Sequence, residues 1–121
     1  MAISAQLEVH LLRAFLGEVH YLSLHSADPA KDGGEEIGAN RQIAPLELKE
    51  EGNNDERTCC LQLASDVLFL SLPRTTLRGF GLWDAPVRGN YLWGGEFASG
   101  QEVKAGEGFR IPAGMLTLRI F

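Results

Sequence analysis

The sequence predicts a mainly β protein: an antiparallel β-sandwich or jelly-roll-like barrel of about seven or eight short strands, with one N-terminal α-helix. Two observations support this fold class. Apolar residues recur at helical spacing only as far as Gly17, and short alternating or wholly apolar runs follow it. Residues typical of turns, mainly Gly, Pro and Asn, separate these runs at intervals of roughly ten residues, as in antiparallel β proteins.

The helix is predicted over residues 4–16. Ser4 is a suitable N-cap, and Gly17 is a natural stop. An apolar stripe at helical spacing runs along this segment and consists of Leu7, Leu11, Leu12, Phe15 and Leu16. The stripe can pack on the protein's own sheet or dock on a neighbouring molecule, and the sequence does not choose between the two.

The strands are predicted from the runs that follow the helix. The first run is apolar on both faces, which predicts a strand buried on both sides. Polar, aperiodic segments at 30–40 and 50–56 predict a surface loop and a hairpin-type turn, and a further turn is expected at Ser99–Gly100. Pro45 indicates an edge or a bulge. The predicted strands are 19–24, 41–48, 58–63, 67–72, 76–83 and 91–97, with closing pieces at Val103, 109–111 and 115–121.

The length of 121 residues predicts a single domain, with a helix at 1–17 beside a β-sandwich domain at 18–121. Hydrophobic residues make up 45% of the chain and charged residues 22%, which are ordinary values for a globular protein. No apolar run approaches the roughly 18 residues of a membrane-spanning helix. The first residues do not follow the pattern of a signal peptide, so we expect synthesis in the cytoplasm and no membrane association.

The net charge of −5 is concentrated between Asp28 and Arg57, where nine acidic residues accompany four basic ones. Such a surface opposes direct binding to nucleic acid. The acidic segment is either a solvated face or a docking face for a basic partner, and Glu35 and Glu36 are the candidate contacts in the second case.

The sequence predicts no catalytic, cofactor-binding or metal-binding site. It contains no P-loop, no dinucleotide-binding glycine fingerprint after a strand and no nucleophile elbow. We interpret His10 as a helix-surface residue, and His20 and His25 as structural residues on opposite faces of the first strand, hydrogen-bonded to the backbone. Three aspartates are interpreted as turn caps: Asp28, Asp66 and Asp84.

The cysteines and the aromatic residues leave alternatives open. Cys59 and Cys60 are adjacent and point to opposite faces of a strand, so we expect reduced thiols, with an intermolecular disulfide as the main alternative. Trp83 and Trp93 flank a Gly-rich turn, close to Tyr91. These rings either pack in the core or form an aromatic platform for a carbohydrate or receptor.

A set of short motifs recurs in a fixed order along the chain. A Leu-rich helix leads into Leu-His-Ser-Ala-Asp-Pro at 24–29, and a Gly- and Glu-rich loop then leads into Arg41-Gln42. Gly-Leu-Trp-Asp-Ala follows at 81–85, Gly-Asn-Tyr-Leu-Trp-Gly at 89–94, and a closing segment with two Ala-Gly pairs at 105–118. This ordered set resembles small bacteriophage virion proteins commonly labelled tail-fibre or minor structural proteins. The chain departs from that family's Ser/Thr/Ala-rich composition between Glu47 and Arg78.

The resemblance implies a non-enzymatic structural protein of a bacteriophage virion, of tail-fibre or capsid-cement type. Such a protein is made in the host cytoplasm and binds other virion proteins in symmetric copies. The candidate partner-binding residues are Leu7, Leu11, Leu12 and Phe15 on the helix, with Glu35 and Glu36 as a secondary face. A receptor- or carbohydrate-binding module that uses the aromatic platform is the alternative.

Overall fold

The structure is a computed structural model, and it describes residues 4–27, 34–38, 40–51, 58–114 and 116–118. All strand pairs in these residues are antiparallel. The predicted fold class, mainly β with one N-terminal helix, is confirmed. The described elements are α1 (Ala5–Leu16), β1 (Tyr21–His25), β2 (Gln42–Ile43), β3 (Leu46–Glu51), β4 (Thr58–Leu63), β5 (Val67–Phe69), β6 (Thr75–Trp83), β7 (Tyr91–Val103), β8 (Phe109–Ile111) and β9 (Thr117–Leu118).

Residue contacts divide the chain into two compact units. Unit 1 comprises Met1–Glu18, Pro45–Asp66 and Pro112–Phe121, and it contains α1, β3, β4 and β9. Unit 2 comprises Val19–Ala44 and Val67–Ile111, and it contains the other strands. The division into a helix at 1–17 and one β-domain at 18–121 stays a prediction, although α1 shares its unit with three strands.

Unit 1 is built around β4, the central strand of a sheet with the order β3-β4-β9. Cys60 and Leu61 are fully buried, as a central strand requires. Cys60 is not in a disulfide bond, and the side chain of Cys59 lies outside the described residues. Leu116 and Leu118 are buried and Thr117 is exposed, as in a strand with one face on the core.

The helix α1 begins as predicted, with the Ser4 hydroxyl accepting a hydrogen bond from the Leu7 amide at 3.1 Å. Its inward face differs from the predicted stripe. Leu12 is 1% exposed and Glu8 is also buried, whereas Leu7 and Leu11 are 45% and 47% exposed. Because α1 packs on β3 and β4, the row of residues four apart that contains Glu8 and Leu12 faces the sheet. The exposed leucines lie on another row.

Unit 2 contains a four-stranded sheet of order β2-β1-β6-β7 and the two-stranded sheet β5-β8. Leu22 pairs with Leu82 and Leu24 with Phe80, which gives β1 and β6 a common apolar face. The ring of Phe97 on β7 lies 5.9 Å from that of Phe80 and 5.9 Å from that of Phe109 on β8. These ring contacts join the two sheets of the unit in a sandwich-like arrangement.

Three predicted strand boundaries are wrong. The turn expected at Ser99–Gly100 is absent because β7 continues to Val103, and residues 97–100 form an irregular bulge opposite Arg78. The strand expected at 41–48 is interrupted at Ala44–Pro45, because proline cannot donate to a ladder. The strand expected at 67–72 ends at Phe69, and Ser71 has a positive φ of 54°.

The predicted surface loop at 30–40 is partly paired with β1. His25 and Glu36 form an isolated antiparallel bridge, and the Ile37 amide donates to the Leu24 carbonyl at 3.0 Å. The turn predicted at 50–56 begins later than expected, because Glu50 and Glu51 lie in β3. Residues 52–56 and the capping role of Asp28 lie outside the described residues. No helix in the described part of the chain is long and apolar enough to cross a membrane.

Replacing Leu12 by alanine is expected to lower the free energy of unfolding by about 2–5 kcal/mol, because the substitution leaves a cavity between α1 and its sheet. Leu11→Ala is the matched control on the same helix and is expected to cost less than about 1 kcal/mol. Urea denaturation of both variants measures the difference. Equal losses would show that the helix packs through a different face.

Candidate functional site

Two of the motif segments, the one that includes 24–29 and the one that includes 81–85, lie side by side in the four-stranded sheet. Ser23 and His25 lie on β1, and they pair with Gly81 and Gly79 on the adjacent β6. The Ser23 hydroxyl lies 2.6 Å from Nε2 of His25, and it accepts a hydrogen bond of 2.8 Å from the indole N–H of Trp83. All three side chains are buried, so β1 is covered on both faces as predicted.

The hydrogen bonds determine the tautomer of His25. Its Nδ1 lies 2.7 Å from the carbonyl oxygen of Gly34, which can only accept, so Nδ1 carries the proton. The neutral ring then has an acceptor at Nε2, and the Ser23 hydroxyl donates to it. This hydrogen bond to the backbone confirms the structural interpretation of His25. His20 is buried just before β1.

Burial lowers the pKa of His25 below its usual value of 6.5 because a desolvated imidazolium is unfavourable. The hydrogen bond to Gly34 and the charge of Glu36 oppose this effect, and the charge of Arg41 adds to it. The ring is therefore held in its neutral form, which is the form that can accept the hydrogen bond from the Ser23 hydroxyl.

A serine hydrogen-bonded to a histidine can in principle be a nucleophile with its base. Here Ser23 is 2% exposed and His25 is fully buried. The indole N–H of Trp83 also occupies the hydroxyl oxygen that would attack a substrate. The arrangement therefore acts as a structural connection between β1 and β6, without access for a substrate.

Because Gly81 has no side chain, it leaves room for the hydrogen-bonded side chains of Ser23 and His25. A Cβ atom at this position would lie 2.8 Å from the Ser23 hydroxyl, 2.9 Å from Nε2 of His25 and 3.0 Å from Cε1 of Tyr91. Three polar or aromatic groups would have to move, so only glycine fits at this point of β6.

Arg41 covers the outer side of Trp83, with its guanidinium carbon 3.8 Å from the ring centroid. It also forms two hydrogen bonds of 2.9 Å to the carboxylate of Glu36. Its Nη1 donates to the carbonyls of Ala85 and Arg88, at 2.9 and 2.7 Å. The Arg41 side chain is 7% exposed, and its charge is thus paired and fully engaged.

Asp84 stabilises the loop between β6 and β7, which also binds Arg41 through its carbonyl groups. Its carboxylate accepts from the backbone amide of Asn90 at 2.7 Å and from the side-chain amide at 2.8 Å. These bonds hold the pKa of Asp84 below its usual value of 3.8. The predicted role of Asp84 as a turn cap is thus confirmed. Asp66 accepts from the Ala113 amide at 2.8 Å, which joins two distant segments of the chain, so its role as a cap of its own turn stays a prediction.

The predicted partner-binding residues differ in their exposure. Leu7 and Leu11 are half exposed on α1, whereas Leu12 is buried in unit 1 and Phe15 is half buried. Glu35 is exposed and has a positive φ of 60°. Glu36 is paired with Arg41. Helical spacing alone placed all four apolar residues on one stripe, and packing on β3 and β4 separates them.

The aromatic platform loses one of its predicted members. Trp83 is only 9% exposed, its N–H is bound to Ser23, and the ring of Tyr91 packs edge-on against it at 5.4 Å. Trp93 is half buried. A broad exposed stacking surface therefore cannot include Trp83, and the core interpretation of this residue is correct.

A second exposed apolar surface was not predicted. Val67 and Phe69 of β5 are buried, whereas Leu68 and Leu70 are 50% and 67% exposed. The apolar run 67–70 predicts a strand buried on both faces, so its sequence contains no signal that one face stays exposed.

In the described part of the chain, no three His, Cys, Asp or Glu side chains are grouped to hold a metal ion.

Replacing Gly81 by alanine is expected to destabilise the protein by about 1–3 kcal/mol because the added methyl overpacks the site around Ser23. Gly95→Ala on β7 is the matched control, since its Cβ would lie no closer than 3.4 Å to the nearest atom outside its neighbours. Thermal or urea unfolding compares the two variants. Equal stability of both variants would contradict the packing described here.

Stability is expected to fall as the pH is lowered from about 7 to about 5. The folded-state pKa of His25 lies below 6.5, so the unfolded chain binds the proton more tightly. The contribution of neutral His25 is therefore complete above about pH 6.5, and it is lost as the pH falls through the folded-state pKa.

Measurements of the free energy of unfolding against pH check this expectation. His25→Gln is expected to be less stable at neutral pH but to lose this part of the pH dependence. His10→Gln on the exposed side of α1 is the matched control and is expected to keep the profile. An unchanged slope in His25→Gln would assign the pH dependence to other groups.

Comparison with known families agrees with the motif order described above. A family model described as "Podophage GP4 fiber I protein gp80" matches residues 2–119, which is nearly the whole chain. No curated protein matches the chain significantly. The match includes both segments that form the Ser23–His25–Trp83 connection and the helix α1. The chain therefore belongs to the podophage GP4 fiber I protein family, a family of phage fibre structural proteins.

Proposed function

We propose that this fibre protein is a non-enzymatic component of the virion that binds other virion proteins in several symmetric copies, with the exposed leucines of α1 as its main contact. One observation carries the proposal. Leu7 and Leu11 are half exposed on one row of the helix, and the buried Leu12 on another row anchors the helix to its sheet. An apolar pair held on a fixed helix is typical of a protein-binding surface.

The anchoring of α1 favours binding because little conformational freedom remains to be lost. The helix is capped by Ser4 and packs on β3 and β4. Each apolar Å² that a partner covers then contributes roughly 25 cal/mol, without the cost of ordering the helix. A flexible terminal segment with the same two leucines would bind more weakly.

The acidic residues contribute less to the proposed contact than the helix. The carboxylate of Glu36 is already bound to Arg41, so a basic partner would have to compete with that ion pair. Glu35 is exposed and can attract a basic surface, mainly through the rate of association. The family description supports a place in a fibre over a capsid-cement role.

A receptor- or carbohydrate-binding role has less support. That alternative needed an exposed aromatic platform, and the burial of Trp83 removes one of its two tryptophans. Tyr91 packs edge-on against the same tryptophan at 5.4 Å, so part of its ring is already in contact with a buried residue.

The double substitution Leu7→Asn/Leu11→Asn is expected to leave the protein folded and to reduce its incorporation into particles by about tenfold or more. Both side chains are half exposed, so their loss changes the free energy of unfolding little. Quantitative mass spectrometry of purified particles measures incorporation. Circular dichroism confirms that each variant is folded.

The matched control is Val87→Asn, which removes a side chain that is 73% exposed in a different part of the chain. Its incorporation is expected to equal that of the unmodified protein. Normal incorporation of the helix variant would refute the helix contact, and equal losses in both variants would show that any exposed apolar residue matters.

A further inference from the structure

We propose that His25 is a pH-sensitive switch: protonation of its buried ring weakens the hold of Arg41 on the loop between β6 and β7, while the protein stays folded. We call residues 84–90 the β6–β7 loop. Two features of the structure carry the inference. Each ring nitrogen of a charged His25 has a hydrogen-bond acceptor, and a series of charged side chains connects the ring with the loop. The switch does not depend on the partner contact proposed for α1.

The hydroxyl of Ser23 has a second acceptor within reach. It lies 2.6 Å from Nε2 of His25 and 3.4 Å from the carbonyl oxygen of Gly81. When Nε2 gains a proton it becomes a donor, and the hydroxyl can accept from it after turning its own proton towards the Gly81 carbonyl. The hydroxyl oxygen has two lone pairs, so it still accepts from the indole N–H of Trp83. Since Nδ1 keeps its bond to Gly34, a charged His25 is fully hydrogen-bonded in place.

Glu36 connects His25 with Arg41. Because His25 and Glu36 form an antiparallel bridge, their Cβ atoms lie about 5 Å apart on the same face. Besides burial, which lowers the pKa of His25, the charge of Glu36 raises it and the charge of Arg41 lowers it. Glu36 also binds Arg41 through two hydrogen bonds of 2.9 Å. A positive His25 therefore attracts the carboxylate that fixes Arg41 and repels the guanidinium itself. On β6, the residue opposite His25 is Gly79, which carries no charge.

Arg41 transmits this change to the β6–β7 loop. Its Nη1 donates to the carbonyls of Ala85 and Arg88, at 2.9 and 2.7 Å. Arg88 has a positive φ of 58°, which is an unfavourable conformation for a residue with a side chain. The loop therefore depends on these bonds to keep its conformation. When Arg41 is held less firmly by Glu36, the bonds weaken and the loop opens more often.

Three further titratable groups lie near this site. Hydrogen bonds from Asn90 hold the pKa of Asp84 below its usual value of 3.8, so this carboxylate stays ionised at about pH 5. The ring of Tyr91 lies beside Gly81, and a phenol carries no charge at about pH 5–7. His20 also acts on Asp84 through its charge, so a test has to separate His20 from His25.

Hydrogen exchange followed by NMR, from about pH 7 down to the onset of acid unfolding, tests the switch in the folded protein. The backbone amides of Asp84 and Asn90 report on the loop, since both are hydrogen-bonded within it. Their protection, corrected for the intrinsic effect of pH on exchange, is expected to fall by about tenfold or more as His25 is protonated. The amides of β1 are expected to remain protected. The ¹⁵N shifts of the His25 ring report its protonation.

Two variants test the path from the ring to the loop. Ser23→Ala removes the acceptor for the new proton on Nε2, so protonation of His25 and the loss of loop protection are expected to move together to lower pH. Glu36→Gln removes the carboxylate that connects His25 with Arg41. Its loop is expected to be poorly protected already at about pH 7, without a further decrease as His25 is protonated.

Three histidine variants assign the titrating group. His25→Gln is expected to abolish the acid-dependent loss of loop protection. His20→Gln and His10→Gln are the matched controls and are expected to keep it. The NMR spectrum of each variant at neutral pH shows whether it is folded, and Glu36→Gln still tests the path if His25→Gln does not fold.

Four results would overturn the inference. The His25 ring could stay neutral until the whole protein unfolds, or it could titrate without any change in loop protection. The loop and β1 could lose protection at the same pH, which would be global unfolding. The acid-dependent change could also persist in Glu36→Gln or disappear in His20→Gln, which would assign it to other groups.

Discussion

The hydrogen bond between the indole N–H of Trp83 and the hydroxyl of Ser23 is the contact on which the rest of unit 2 depends. It joins β1 to β6 on the face that the apolar core does not cover. The hydroxyl in turn donates a hydrogen bond to Nε2 of His25, and Nδ1–H of His25 donates to the Gly34 carbonyl. Arg41 lies over the same indole and holds the loop between β6 and β7. A chain of polar contacts thus covers one face of the sheet, and apolar residues cover the other.

Buried polar groups of this kind are costly unless each has a partner, and here the main donors and acceptors are matched. Gly81 makes the arrangement possible by leaving room for the serine and the histidine. The same contacts leave no access to a serine–histidine pair that could otherwise be mistaken for a catalytic one. The group therefore specifies how the strands and the covering loop fit together.

The surfaces follow from the way in which α1 and β5 are packed. Each element buries one row of apolar residues and leaves another half exposed, with Leu12 inside and Leu11 outside on the helix, and Phe69 inside and Leu68 outside on the strand. Exposed apolar rows of this kind are typical of surfaces that bind other proteins. The anchored inner rows hold the outer rows in a defined position.

The sequence by itself determined the fold class, the helix with its Ser4 cap, the turn role of Asp84 and the family, because these depend on local spacing and on ordered short motifs. It placed most strands correctly, but it mistook the bulge near Gly100 for a turn, since glycine and serine suit both. Only the tertiary structure decided which row of α1 faces the sheet, because five apolar residues on one helix allow more than one orientation. It also brought together Ser23 and Trp83, which are 60 positions apart, and placed Arg41 over the indole. Contacts at such separations are set by strand register and packing, and neither follows from the local pattern of residues.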